Sequence, residues 1–139
     1  MSRAQVVTDC RLKSLPGCLV TVTRRDKNHQ VIQIEPACLQ SLHHDWLRAS
    51  VDGITADGHR VVEIKCGESA YRKTANTGSP PSYYVGQLQH ILAVTGLPVL
   101  DFLCFLPPRP PLLIEVARDD QYIRTLLEKE QKFWSGITG

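Results

Sequence analysis

The sequence predicts a mixed β-sheet with helices packed on it, in the α/β or α+β class. Short β-branched and apolar runs alternate with turn residues along most of the chain. Two stretches, Ser82–Thr95 and the one that follows Asp119 and Asp120, instead repeat apolar residues at helical spacing. The dipeptide Asp57-Gly58, set between two strand-like runs, is the signal of a tight hairpin. At 139 residues the chain has room for a single domain over 1–139 and none for a second.

Residues 1–18 carry no sustained period and end on the turn signal Leu15-Pro16-Gly17. Leu19–Thr23 reads as a strand, Arg24–Asn28 as a charged turn, and Val31–Ile34 as the returning strand, closed by Pro36. A loop holding Ser41, His43, His44 and Asp45 leads to a strand over Leu47–Ile54, paired with Arg60–Cys66 across the Asp57-Gly58 turn. The polar stretch 67–82, with Gly67, Gly78, Pro80 and Pro81, is expected to be a mobile loop. In Ser82–Thr95 the stripe Tyr84, Leu88, Ile91, Leu92 and Thr95 marks a helix, stopped by Gly96-Leu97-Pro98. Val99–Leu106 and Leu112–Ala117 are strands, joined by Pro107–Pro111, whose prolines exclude it from a strand interior. Asp119 or Asp120 caps a last helix with Ile123, Leu126, Leu127 and Trp134 on one face.

Composition narrows function by exclusion. With 42% hydrophobic and 22% charged residues the chain builds a core and is no disordered tail. No apolar run approaches a membrane span, and Met1-Ser2-Arg3 leads into no apolar signal segment, so a cytoplasmic location is expected. The 5 cysteines are scattered without a CxxC pair, which fits neither a zinc ribbon nor a disulfide framework. A net charge of +2 does not announce a nucleic acid, because such binding needs a local cationic patch. His43, His44 and Asp45 are adjacent and point in different directions, which favours packing over metal binding.

The hairpin carries the chemistry. If Asp57 and Gly58 form a two-residue type I′ turn, paired residues lie symmetrically about them. Asp52 then faces Glu63, Ser50 faces Lys65 and Ile54 faces Val61, all on one side of the sheet. Val51, Val62 and Ile64 take the other side, expected to be the core side, where Cys66 is a small buried residue. Facing Cβ atoms lie about 4.5–5.5 Å apart, too close for two carboxylates unless a cation sits between them. Lys65 is one candidate; Mg²⁺, which takes one or two carboxylates plus water and phosphate oxygens, is the other. The same residues also suit an ordinary surface hairpin with a Glu–Lys pair. On the helix, Gln87 and Gln89 leave in different directions. Gln87 shares a flank with Tyr83, His90 and Val94, where it either serves a site or is solvated surface.

Three segments in order, Ser50-Val51-Asp52-Gly53, Glu63-Ile64-Lys65 and Tyr84-Val85-Gly86-Gln87-Leu88-Gln89, lie on strand, strand and helix. They resemble the S-P-D-G, E-x-K and Y-x-x-Q-x-Q motifs of the YqaJ-like viral recombinase family, which groups with phage lambda exonuclease among the PD-(D/E)xK nucleases. Val51 stands in place of the proline. The resemblance covers Thr21–Ile137 and is strongest over Leu47–Leu106. It implies a restriction-endonuclease-like mixed sheet flanked by helices. It also implies that Asp52 and Glu63, with the backbone carbonyl of Ile64, ligate Mg²⁺ or Mn²⁺. By the same resemblance Lys65 orients or deprotonates the attacking water, and Gln87 helps place the water or the phosphate. Ser50, Tyr84 and Gln89, with Arg72 and Lys73 in the loop, are expected to contact DNA. Family members begin with a helical segment carrying a Gly-rich turn and a further acidic residue. Residues 1–18 offer Asp9 but no such helix, and neither Asp9 nor Glu35 is assigned that role.

The function so implied is Mg²⁺-dependent hydrolysis of double-stranded DNA by an exonuclease of phage-type recombination. Its expected partners are DNA, a single-strand annealing protein and further copies of the chain; no membrane is implied. Two readings compete: a non-catalytic DNA-binding or assembly remnant of such a nuclease, and an endonuclease of the same superfamily.

Overall fold

A computed structural model describes residues 5–6, 35–55 and 57–138. The expected strands Leu19–Thr23 and Val31–Ile34 lie outside the described residues. Strands β2 (Glu35–Gln40), β3 (Arg48–Ile54) and β4 (Val61–Cys66) are antiparallel neighbours. β5 (Val99–Phe105) runs parallel to β4, and β6 (Leu112–Ala117) runs antiparallel to β5. With a short β1 (Gln5–Val6) on β2, the described residues form a 6-stranded sheet of order β1-β2-β3-β4-β5-β6. The parallel β4–β5 pair makes the sheet mixed and requires a crossover. Helix α1 (Glu68–Thr77), a 3₁₀ turn (Ser82–Tyr84) and helix α2 (Val85–Thr95) supply it. Helix α3 (Asp120–Thr138) follows β6. Asp119 is its cap, accepting the Tyr122 amide at 2.9 Å. His90 of α2 meets Glu130 of α3 at 2.8 Å.

Helix α1 occupies the stretch expected to be a mobile loop. The glycines that read as loop signals are its two ends. Gly67 (φ 132°) precedes it, and Gly78 (φ 69°) closes it with an N–H on the carbonyl of Thr74. Between them Ala70, Tyr71 and Thr74 share the buried face. The Cys104 thiol meets Thr74 Oγ1 at 3.4 Å, and the Tyr71 hydroxyl donates to the Pro110 carbonyl at 2.7 Å. So narrow an apolar face leaves little periodic signal, and packing against the sheet makes the helix.

The main core lies between the helices and one face of the sheet. Val51, Ile54, Val61, Leu100 and Phe102 from the strands meet Leu88, Ile91 and Leu92 of α2 and Ile123 of α3. Full burial of each such side chain favours folding by about 1.5–3 kcal/mol. By alternation along β4, Glu63 and Lys65 point to this helical side with Val61. That reverses the expectation that Val62 and Ile64 mark the core side. Those two pack with Leu103 in a small cluster on the opposite face. Cys66 belongs to that face at the strand's end and is exposed, not buried.

Val51 remains in the main core because β3 changes phase. Ala37 pairs with Val51 but Glu35 with Ile54, so β3 advances three residues where β2 advances two. This bulge lies opposite Pro36, whose missing N–H falls in the irregularity instead of in the ladder. Pro36, expected to close a strand, instead lies inside β2, which extends to Gln40. Val51 and Ile54 both turn inward, and Asp52-Gly53 sits between them.

The hairpin keeps the predicted register, with Gly53 paired to Val62 and Ile54 to Val61. Its turn is wider than two residues. Thr55 N–H donates to the Arg60 carbonyl at 3.0 Å and Gly58 N–H to the Thr55 carbonyl at 2.9 Å. The Asp57 carboxylate accepts the Thr55 hydroxyl (2.6 Å) and the His59 amide (2.9 Å), which hold it below the usual carboxylate range. A wider loop with the same centre keeps Ile54 opposite Val61, but the ladder stops at Gly53–Val62, short of the expected Asp52–Glu63 and Ser50–Lys65 pairs.

Candidate active site

The site forms where the β3–β4 ladder gives out. Beyond the Gly53–Val62 pair, Asp52 Oδ2 accepts the Ile64 amide at 2.7 Å, so a side chain replaces the next backbone rung. The bulge in β3 is what turns the Asp52 carboxylate onto β4. Glu63, on β4 and only 5% exposed, sits beside it at the border of the main core. Helix α2 covers this border and brings Gln87. Gln87 Nε2 donates to Glu63 Oε1 at 3.4 Å, and Gln87 Oε1 accepts from Lys65 Nζ at 3.0 Å. Lys65 Nζ also lies 3.7 Å from Glu63 Oε1 and 4.5 Å from the centroid of the Tyr84 ring. Tyr84 itself leans on the buried Phe102, with ring centroids 6.0 Å apart.

The electrostatics are unusual for a carboxylate. Burial, and then the neighbouring Asp52, push Glu63 up to about 8, against a smaller opposing pull from Lys65. Glu63 Oε2 is buried with no hydrogen-bond partner. A buried acceptor without a donor is uncommon and costs free energy, which a cation would relieve. The donor set of two carboxylates is of the hard-oxygen kind that suits Mg²⁺ or Mn²⁺. Among the described residues no three His, Cys, Asp or Glu side chains converge on one point.

Of the residues singled out in the sequence, the structure brings together Asp52, Glu63, Lys65, Gln87 and Tyr84, with the Ile64 backbone beside them. It does not bring Ser50. Ser50 pairs with Cys38 on β2, and its hydroxyl lies 3.5 Å from the Cys38 sulfur. Gln89 is also elsewhere: buried, it donates to the Ala117 carbonyl and accepts the Asp119 amide, each at 3.0 Å. It clips α2 to the β6–α3 turn. Arg72 and Lys73 stand on α1 and not in a loop. Arg72 pairs with Glu68 one turn away, and Lys73 Nζ lies 4.7 Å from the centroid of Tyr83. Tyr83 was marked in the sequence only as a flank neighbour of Gln87, since an aromatic before a motif tyrosine carries no signal of its own.

Residues 21–98 match the YqaJ-like viral recombinase domain. Among solved structures the chain is similar to an alkaline exonuclease from Laribacter hongkongensis, at 24% identity and a TM-score of 0.66, over 76% of this chain and 58% of that one. It is likewise similar to that exonuclease in complex with dAMP, at 24% identity and a TM-score of 0.65, over 76% of this chain and 57% of the other. The chain thus spans little more than half the length of these relatives. No curated protein matches it. The mixed sheet with flanking helices is similar to the fold of that exonuclease, as the motif resemblance implies. Matched over more than half of its length, this chain belongs to the YqaJ-like viral recombinase domain family.

Proposed function

We propose that the chain is a metal-dependent nuclease domain that hydrolyses the phosphodiester bonds of double-stranded DNA, acting from an end. The observation that carries this reading is the buried Glu63 carboxylate beside Asp52, one oxygen unpartnered, with Lys65 and Gln87 fixed against it. Membership of the family and the fold shared with an exonuclease support it. That exonuclease has been crystallised with dAMP, which agrees with mononucleotide release.

Asp52 and Glu63, with the Ile64 carbonyl, would hold Mg²⁺ or Mn²⁺, which when bound supplies positive charge against the phosphate and acidifies water. The protein's part is positioning. In-line attack on phosphorus needs a water aligned opposite the leaving oxygen, and most of the barrier is charge and alignment. Lys65 Nζ is held by Gln87 on one side and the Tyr84 face on another, leaving donor capacity for a phosphate oxygen or the attacking water. Gln87 sets the lysine and the glutamate relative to each other through its two amide atoms. In phage-type recombination the surviving strand would pass to a single-strand annealing protein.

The test is nucleotide release from end-labelled linear duplex. Release should require Mg²⁺ or Mn²⁺ and vanish in Asp52→Asn and Lys65→Ala chains that still fold. Release that survives both substitutions, or excess chelator, overturns the reading. Closed circular DNA should resist; its cleavage would identify an endonuclease. Binding without degradation would identify a non-catalytic module.

A further inference from the structure

Beside the site lies an arrangement that the three motifs do not include. Tyr83 precedes the motif residue Tyr84 in the 3₁₀ turn and is 55% exposed. The two rings meet edge to face, centroids 4.5 Å apart at 63°. Lys65 Nζ stands 4.5 Å from the Tyr84 centroid, and Lys73 Nζ of α1 stands 4.7 Å from the Tyr83 centroid. Cation, ring, ring and cation thus form a chain of contacts from the carboxylate cluster to the exposed Tyr83. Fold stability does not account for these contacts. Tyr83 leaves more than half of its surface to water, an exposed cation–ring contact is weak, and ordering a lysine is entropically unfavourable. A flat aromatic surface next to a positive charge does suit a nucleotide, which presents a ring to stack on and a phosphate to neutralise.

We propose that Tyr83 and Lys73 form a nucleotide-binding subsite, in which Tyr83 stacks on the unpaired base next to the scissile phosphate and Lys73 holds the adjoining phosphate. The proposal rests on the nuclease reading and adds to it the contact that grips a frayed DNA end. Stacking is tolerant of sequence because every base has a flat face, so the subsite serves an enzyme that digests any sequence. Tyr84 cannot take this role, since it is half-buried between Lys65 and Phe102.

The experiment uses the full chain carrying Asp52→Asn, so that DNA is bound but not consumed. Fluorescent duplexes with a short unpaired end are titrated with this parent and with added Tyr83→Ala, Tyr83→Phe or Lys73→Ala. Tyr83→Ala should weaken binding about 5- to 100-fold, and Tyr83→Phe should stay within about twofold, because the ring and not the hydroxyl is used. Lys73→Ala should lower the slope of log affinity against log salt by about 0.7–0.9, one phosphate contact. In the Asp52 chain, Tyr83→Ala should raise KM for DNA while leaving hydrolysis of bis(p-nitrophenyl) phosphate, which offers no base, within about twofold. Affinities of Tyr83→Ala and Lys73→Ala equal to the parent's, in a protein that binds and degrades DNA, overturn the subsite and leave the nuclease standing. A Tyr83→Phe loss as large as that of Tyr83→Ala overturns stacking. If the parent binds no DNA and the Asp52 chain releases no nucleotide, the nuclease reading fails and the subsite with it.

Discussion

Asp52 Oδ2 accepts the amide hydrogen of Ile64 at 2.7 Å, across the point where the β3–β4 ladder ends. One carboxylate oxygen thus takes the place of a backbone acceptor, while the proposed function gives the carboxylate's charge a second role. The two roles separate by substitution. Asp52→Asn retains a carbonyl acceptor for Ile64 but no negative charge, so it should melt near the parent and lose at least about 100-fold in nucleotide release. Asp52→Ala also removes the acceptor and should lower stability by about 1 kcal/mol, read by urea denaturation. Equal activity of Asp52→Asn and parent would remove Asp52 from the catalytic set.

Glu63 gives the protein a pH dependence opposite in sign to that of an ordinary paired carboxylate. Its folded value, raised to about 8, lies above the unfolded value of 4.5, so the folded state keeps a proton that the unfolded state releases. The stabilising contribution is fully present below about pH 4.5 and is lost as pH rises toward 8. In chelator the loss by pH 9 is on the order of a few kcal/mol. Denaturation curves at pH 5 and pH 9 should show this fall in the parent and little of it in Glu63→Gln. A divalent cation should reverse the trend, since its binding displaces the proton; affinity should rise up to about tenfold per pH unit below 8. Parallel pH profiles for parent and Glu63→Gln would show that Glu63 titrates normally.

Gln87 holds Lys65 Nζ at 3.0 Å, so its loss should act on the chemical step. Gln87→Ala should lower kcat about 10- to 100-fold with little change in KM, because the lysine keeps its charge but not its aim. Lys65→Ala should lose about 10²–10⁴-fold. Steady-state kinetics on linear duplex separate the two constants; a pure KM effect of Gln87→Ala would place Gln87 in DNA binding instead.

Gln89 is held in a structural role by its hydrogen bonds. Its amide joins the Ala117 carbonyl and the Asp119 amide, both at 3.0 Å, and it is 5% exposed. Gln89→Ala leaves both backbone groups without a partner and should destabilise by about 2–4 kcal/mol. DNA affinity per folded molecule should stay within about twofold. A selective loss of affinity, with the melting temperature unchanged, would return Gln89 to the DNA contacts.

What was legible in the sequence was whatever depends on local period and symmetry. Asp57-Gly58 centres the hairpin, and centring alone sets Gly53 against Val62 and Ile54 against Val61, even though the turn that forms is wider than the dipeptide suggests. The stripe from Tyr84 to Thr95 marked a helix whose flank carries Gln87, and Gly96 ended it. The order of the three motifs carried the family. Helix α1 was invisible, because Gly67 and Gly78 signal a loop as readily as they signal helix ends, and Ala70, Tyr71 and Thr74 make too narrow a stripe.

The sequence by itself determined the centre of the hairpin and, through the motif resemblance, grouped Asp52, Glu63 and Lys65; the ladder ends at Gly53–Val62, before the expected Asp52–Glu63 and Ser50–Lys65 pairs. Only the tertiary structure decided what lies over these three residues. Alternation is symmetric between the two faces of a strand, so it cannot say which face the helices cover. They cover the Glu63 side, and from this follow its burial, its raised proton affinity and its contact with Gln87. The same limit separates Gln87 from Gln89. Two glutamines on one helix differ in nothing but direction, and it took the packed sheet to aim one at the carboxylates and the other at the backbone of β6.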